Sequence, residues 1–357
     1  MKVLYKRQTR RYTIIVFDGR HLHTKGLREP TKKRLYAEIA PLLGLFLYLT
    51  ILKRGEKMSW RIVYIEQSDY LKIYLDNLKV VREDAEILIP LSDIHTIIVD
   101  NQQTVVTGRL INKLADYHIL LIFCDEKHLP NIYSLAPHSH HQSSLVLNRQ
   151  VNWSAAAKAV VWQRFIQIKI YNQASVLAHF KKDPAIIHTL YALAEEVTEG
   201  DKTNREGHAA KLYFKTLFGT DFIRERESWD GINSGLNYGY IVLRSTVARS
   251  IVAHGLHPAF GIGHHNQYNA FNLADDIIES FRPIVDVWIY ILMNKEDYLD
   301  RKTKHKLVHL ISTNKILIGN QKQTIPNAID ILVQSFIKSM NEENPDLLVY
   351  PANGIAL

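Results

Sequence analysis

A single cysteine in 357 residues leaves no partner for an intrachain disulfide, so no disulfide framework holds this chain; the usage fits a reducing, cytoplasmic setting. Cys124 sits in the apolar run HILLIFCDE (residues 118–126), where a small core residue is expected rather than a nucleophile. The chain also lacks a Walker loop, a GxGxxG fingerprint and any internal repeat, so nucleotide binding by those routes is unsupported. Membrane spans fare no better. The apolar stretch from Tyr36 to Leu52 has 17 residues and is broken by Glu38 and Pro41, which puts it at the short limit for a span. No small-residue cleavage site follows it, and the next residues are ILKRGEK, so a secretory signal is not expected.

Acidic residues are scarce only at one end. Of 44 Lys/Arg and 36 Asp/Glu, residues 1–57 hold 14 and 4, leaving 30 and 32 for the other 300 positions. The net charge of +8 is therefore a property of the amino-terminal segment, and any nucleic-acid contact by the body must rest on local patches. MSWRIVYIEQ, from Met58, reads like a fresh protein start. Residues 1–57 are accordingly expected to be a basic extension arising from a non-native upstream start. The alternative is an amphipathic helix lying on a partner or membrane surface.

What is present is ordinary globular material, 46 % hydrophobic and 22 % charged. From residue 58 to 133 the apolar period is two: WRIVYIE, YLKIYLDN, LKVVRE, AEILIPL and DIHTIIVD predict short strands, TVVTGRLINKLADY a helix and HILLIFCDE a buried strand. This is a small β-rich domain, sandwich-like with one helix, with edges that could pair with a second copy. Residues 134–147, SLAPHSHHQSSLVL, read as a linker; His138, His140 and His141 have no carboxylate or cysteine beside them and fit linker composition better than a metal site. From 148 to 357 the period becomes 3.6 and an all-helical domain is expected, which makes the fold class α+β.

Three stretches carry chemistry. In NREGHAAKLYFKTLFG (residues 204–219), Glu206 shares an apolar stripe with Ala210, Tyr213 and Leu217, so its carboxylate needs a partner, either a metal or a buried ion pair with Arg224 or Arg226. In LADDIIESFRP (residues 273–283), Leu273, Ile277, Phe281 and Ile284 form a stripe, with Asp276 at its edge and Glu279 three residues on. His264 follows the turn GLHPAFGIG and is expected on a loop. Singly these read as an ion pair, a solvated helix flank and an unremarkable loop histidine. Together they offer one imidazole and two or three carboxylates, a donor set that suits Mn²⁺ or Mg²⁺ in phosphoryl transfer. Lys211, Arg224, Arg244, Arg249 and Arg282 could anchor a phosphate backbone, although Arg244 and Arg249 fit a solvated helix face equally. Asn237 could cap a helix or bond a phosphate.

REGHAAKLYFKTLFG, NSGLNYGY and the G-L-x-P-x-x-G-x-x-H turn leading into LADDIIESFRP resemble the Cas1 family of CRISPR-associated integrases, most closely the members that accompany Cas9. The resemblance runs from about Met58 to the carboxy terminus and leaves out residues 1–57. It implies an amino-terminal β domain, a helical catalytic domain and a homodimer made through the β domains. It also implies metal-dependent joining of short double-stranded DNA fragments to a CRISPR repeat in complex with Cas2, with other adaptation proteins and Cas9 as further partners. The family's ligands fall on Glu206, His264 and Glu279, with Asp276 kept as the alternative third ligand. Two other readings stay open: a stand-alone metal nuclease acting on branched DNA, and a non-catalytic DNA-binding scaffold whose acidic residues only pair with arginines.

Overall fold

The computed structural model describes residues 2–8, 11–17, 22–24, 61–82, 85–126, 128–134, 140–225, 230–294 and 296–351. Residues 1–59 and 60–357 form two separate compact units. In the first, strands β1 (Lys2–Gln8), β2 (Arg11–Phe17) and β3 (Leu22–Thr24) make an antiparallel sheet in that order. The apolar stretch from Tyr36 to Leu52 lies outside the described residues, as do Met58, His138 and Arg226.

The second unit begins with β4 (Arg61–Ile65), β5 (Tyr70–Tyr74), β6 (Asn77–Arg82), β7 (Ala85–Pro90), β8 (Ile94–Val99), β9 (Val105–Val106), helix α1 (Gly108–Asp116), β10 (Leu120–Cys124) and β11 (Pro130–Ser134). These form two sheets, ordered β11-β10-β8-β4 and β7-β6-β5-β9. β4, β8 and β10 run parallel, and every residue of β8 is buried, as a parallel strand covered on both faces requires. β5 and β6 join through Leu75 and Asp76, both at positive φ (44° and 54°), the backbone that two-residue hairpin turns favour. α1 packs against β5 and β10, one strand from each sheet, burying Leu110 and Leu114. Cys124 is buried among these elements, with its thiol pushed up to about 12 by burial and by Asp100.

Nine helices follow among the described residues: α2 (Ser143–Asn152), α3 (Ala155–His179), α4 (Pro184–Glu195), α5 (Arg205–Phe218), α6 (Gly231–Ala253), α7 (Asn272–Ile278), α8 (Arg282–Leu292), α9 (Arg301–Thr313) and α10 (Ile325–Glu342). None is long and apolar enough to cross a membrane. The expectation of an all-helical region needs a correction, because β12 (Lys315–Ile318) and β13 (Gln321–Thr324) form an antiparallel hairpin. Its loop is Gly319–Asn320, both at positive φ (53° and 61°), a turn signal the helical period around it obscured. α6 is buried on nearly all sides and lies close to α8: a Cβ on Gly239 would come within 2.5 Å of Val285.

Arg249, expected among phosphate contacts or on a solvated face, is buried instead. Its Nε donates to the carbonyl of His118 at 2.8 Å and its guanidinium stands 3.7 Å from Asp330 of α10. Burial lowers its pKa to about 10, against the pull of Asp330. It ties α6 to both the β region and α10. Arg249→Met should cost about 1.5–3 kcal/mol of unfolding free energy, the range for a hydrogen bond to a charged group, measured by urea denaturation. A change below about 0.5 kcal/mol would show that the tie contributes nothing.

Candidate active site

Glu206 occupies the first turn of α5, held there by the residues that start the helix. Asn204, in the left-handed region (φ 52°), caps it by accepting from the Gly207 amide at 3.2 Å. Asp201 accepts from the amides of Arg205 and Glu206 at 2.8 and 3.0 Å. The buried stripe below Glu206 runs through Ala209, Tyr213 and Leu217, so Ala209 rather than Ala210 continues it.

Glu279 owes its position to a break. LADDIIESFRPIVDVWIYILM predicts one helix, but Pro283 lacks an amide hydrogen and its ring collides with the carbonyl of residue 279, so α7 stops at Ile278 and α8 restarts at Arg282. The Ser280 carbonyl freed by this break accepts from Asn172 of α3 at 2.9 Å. Glu279, the residue after α7, is buried in the core rather than exposed on a flank.

The two carboxylates meet on a residue passed over in the sequence. Lys169, in the middle of α3, places its Nζ 2.5 Å from Glu206 Oε1 and 2.6 Å from Glu279 Oε2. Arg282 Nε lies 3.0 Å from the other oxygen, Glu279 Oε1. Two anions and two cations thus balance in one cluster, whose Lys169 and Glu279 are buried deeply enough that either charge left uncompensated would cost several kcal/mol. Burial alone would raise the Glu279 pKa, but Arg282 and Lys169 outweigh it and hold the carboxyl below its ordinary value. Burial likewise opposes the charge on Lys169, yet Glu206 and then Glu279 keep its pKa raised. The ion pair expected of Glu206 exists, with Lys169 in place of Arg224.

His264 is positioned from behind. Asp276, fully buried on α7, accepts from the backbone amides of Ile262 (2.6 Å), Gly263 (3.1 Å) and His264 (2.8 Å), and its Oδ1 bonds His264 Nδ1 at 2.7 Å. Both oxygens of Asp276 are therefore taken, and His264 keeps Nε2 for other partners. The hydrogen bond that His264 donates to Asp276 raises the His264 pKa against the opposing effect of burial. Trp162 of α3 stands edge-on to the imidazole at 5.4 Å, and Gly263 must be glycine because a Cβ there would meet the indole at 2.3 Å.

Glu206, His264, Glu279, Lys169, Arg282 and Arg224 line one cavity of about 210 Å³. Its floor is a network that the sequence did not suggest: Tyr213 and Tyr240 both donate to Asp286 of α8, the former at 3.0 Å. Arg282 and Arg224 stack over the Tyr240 ring at 4.7 and 5.5 Å. Arg224 also donates to Asn233 and Asn237, at 2.9 and 2.7 Å. Asn237 is thus neither a helix cap, a role filled by Asp230, nor part of the cavity wall. Lys211 is exposed and outside the cavity; Arg244, 3.9 Å from Asp275 and over Phe271, is outside it too.

Residues 62–316 match the family model described as CRISPR associated protein Cas1. The CRISPR-associated endonuclease Cas1 of Neisseria meningitidis serogroup C (strain 8013) is 36 % identical over 296 residues, covering 82 % of this chain and 96 % of that one. This chain belongs to the Cas1 family. A second relative, a CRISPR-associated endonuclease Cas1 of Francisella tularensis subsp. novicida, is 26 % identical over 69 % of this chain and 84 % of its own. The fold is shared with a Cas1 protein of Thermotoga maritima (TM-score 0.63, 19 % identity, 79 % of this chain and 97 % of that one). It is shared equally with a casposase solved bound to its integration product (TM-score 0.65, 20 % identity, 80 % and 91 %).

Among the described residues of this Cas1-family chain, no three His, Cys, Asp or Glu side chains stand close enough together to hold a metal ion as placed. The donor chemistry nonetheless fits a hard divalent cation, with two carboxylates and an imidazole on one cavity. Glu279 Oε2, moreover, is buried and already has a cation against it at 2.6 Å. What stands between the two carboxylates is the Lys169 ammonium.

Two outcomes follow for the residues behind the cavity. Asp276→Asn sets an amide NH₂ against backbone donors and should cost about 1–3 kcal/mol per unsatisfied amide in urea denaturation. It should also move the His264 titration, followed by NMR, to lower pH; an unmoved titration would mean that Asp276 does not set it. Burial lifts Asp286 to about 6, from an ordinary value of 3.8. Between these values the unfolded chain has lost this proton while the folded chain keeps it, so the group's contribution to stability falls as pH rises from about 4 to about 6 and is level above. Asp286→Asn should abolish that component of the slope, seen as wild-type and variant stabilities that diverge across this window and run parallel above it.

Proposed function

We propose that this chain is a CRISPR adaptation integrase: a divalent-metal-dependent phosphoryl transferase that joins the 3′-hydroxyl ends of short double-stranded DNA fragments to the strands of a CRISPR repeat. The observation that carries this reading is the cavity shared by Glu206, His264, Glu279 and two arginines in a member of the Cas1 family. It is supported by a relative named a CRISPR-associated endonuclease Cas1 at 36 % identity. Glu206, His264 and Glu279 would hold Mg²⁺ or Mn²⁺; Asp276, with both oxygens engaged, would position His264 instead of acting as a ligand. When bound, the cation supplies charge stabilisation for a phosphate oxygen and lowers the pKa of a hydroxyl nucleophile.

The chain's own groups bind and orient. Arg224 and Arg282 bring positive charge to the cavity for a phosphodiester, and both pack on the ring of Tyr240. In the transfer, the fragment's 3′-oxygen forms a bond to phosphorus and the bond from phosphorus to the repeat strand's 3′-oxygen breaks. The attacking hydroxyl gives up its proton, and the departing oxygen takes one up. No covalent enzyme intermediate is needed. Tyr240, whose hydroxyl donates to Asp286 and whose pKa burial raises well above the ordinary value, is poorly suited to be a nucleophile. With water in place of the hydroxyl the same site would act as an endonuclease. We assign DNA, Cas2 and a second copy of the chain as partners, with the β-sheet edges as the dimer contact and a Cas9-associated system as the setting.

One observation favours the scaffold reading: both carboxylates are already ion-paired by Lys169. An integration assay separates the alternatives. Purified chain and Cas2 are incubated with a fragment bearing free 3′-hydroxyls and a repeat-bearing plasmid, in Mn²⁺, Mg²⁺ or EDTA. Joining is expected with metal only, and is expected to fall by about a hundredfold or more in folded Glu206→Gln, His264→Asn and Glu279→Gln. Cleavage without joining would favour the nuclease, and DNA binding with neither would favour the scaffold.

A further inference from the structure

Lys169 is the residue of this site whose placement is hardest to reconcile with a bound divalent cation. Its side chain is about 10 % exposed, rises from the interior of α3 and ends between one oxygen of Glu206 and one of Glu279. The two oxygens of Glu279 differ. Oε1 faces Arg282, an i, i+3 neighbour on the same stretch, while Oε2 faces the Lys169 ammonium at 2.6 Å. Oε2 is therefore the oxygen that can change partner while Arg282 continues to hold the carboxylate. A divalent cation needs oxygens at about 2.0–2.6 Å. An ammonium left on the same two oxygens would then lie within a few ångströms of a double positive charge, a repulsion that is only weakly screened where Lys169 and Glu279 are buried. One of the two must yield, and lysine is the mobile one: a point charge on a flexible four-carbon stem, beside an open cavity.

We propose that the Lys169 ammonium is the resident cation of the metal-free site, and that a divalent cation binds Glu206 and Glu279 by displacing it. The inference rests on the metal-site reading above and deepens it. Lys169 thereby becomes a positioning residue with two states. In the metal-free chain it neutralises the buried carboxylates and keeps them together. On metal binding it is released toward the cavity shared with Arg224 and Arg282, where an anionic phosphate would be its natural partner. Lysine thus sets the metal affinity of the site, since every binding event includes breaking two ion pairs.

The test is calorimetric titration of Mn²⁺ into the full chain as wild type, Lys169→Gln and Lys169→Arg. Lys169→Gln removes the competing charge and should bind Mn²⁺ about tenfold more tightly than wild type. Lys169→Arg keeps the charge and should remain within about threefold of it. Equal or weaker binding by folded Lys169→Gln overturns the proposal. Should that variant fail to fold, acetylation of the wild type with acetic anhydride, read by mass spectrometry, serves in its place. Lys169 should be protected in EDTA and acetylated about tenfold faster in saturating Mn²⁺; protection unchanged by bound Mn²⁺ overturns the proposal alone. Absence of Mn²⁺ binding to the wild type, or binding undiminished by Glu279→Gln, would overturn the metal site itself and the displacement with it.

Discussion

Two carboxylates cannot share a buried cavity unless cations stand against them, and that electrostatic constraint organises the centre of this protein. Glu279 is almost wholly withdrawn from solvent, and Glu206 opposes it across a single lysine ammonium. Lys169 and Arg282 bring the count of charges to balance, and each keeps its charge against the cost of burial through its anion. Four residues from three separate segments therefore depend on one another. The long helix α3 supplies Lys169, the first turn of α5 supplies Glu206, and the broken turn between α7 and α8 supplies Glu279 and Arg282. Losing one member leaves another as an uncompensated buried charge, which is why the packing of these helices and the chemistry of the cavity cannot be separated.

Around that centre the chain uses backbone irregularity to bring side chains in. A continuous helix from Asn272 to Leu292 would run past the cavity, whereas the stop imposed by Pro283 sets Glu279 at the end of one short helix and Arg282 at the start of the next. The turn that carries His264 is an irregular loop with polar backbone groups to satisfy, and Asp276 satisfies three of its amides with one carboxylate. That single buried group closes the loop on α7, fixes the imidazole and makes Nδ1 the donor, an arrangement often found behind histidines that bind metals. Asp286 does comparable work on α8, where two tyrosine hydroxyls converge on it and the Tyr240 ring carries both arginines.

Much of this architecture was legible without coordinates. The change from a two-residue to a 3.6-residue apolar period marks the passage from β-rich to helical structure, and the position of Glu206 on an apolar stripe already required a buried partner. What escaped notice did so for identifiable reasons. Lys169 lies within QRFIQIKIYNQ, where a lysine on the face occupied by Phe165, Ile166 and Gln173 is the signal, but a long lysine on a long helix reads by default as solvated. The β12–β13 hairpin was hidden by helical periods on both sides, although its Gly-Asn pair is a turn signature. Arg249 and Asn237 were read from type alone, and type does not say which way a helical side chain faces: one ties α6 to its neighbours and the other supports Arg224.

The sequence by itself determined the order of the two structural regions, the family, and which imidazole and carboxylates could act together, because these follow from local periodicity and from motifs short enough to read along the chain. Only the tertiary structure decided that Glu279 faces the cavity while Asp276 backs His264, that a lysine some 37 residues before Glu206 bridges the two carboxylates, and that Arg249 faces inward. The reason is physical. Whether a charged group is solvated, paired or poised for a metal depends on which charges lie within a few ångströms, and those neighbours come from segments that meet only when the helices pack.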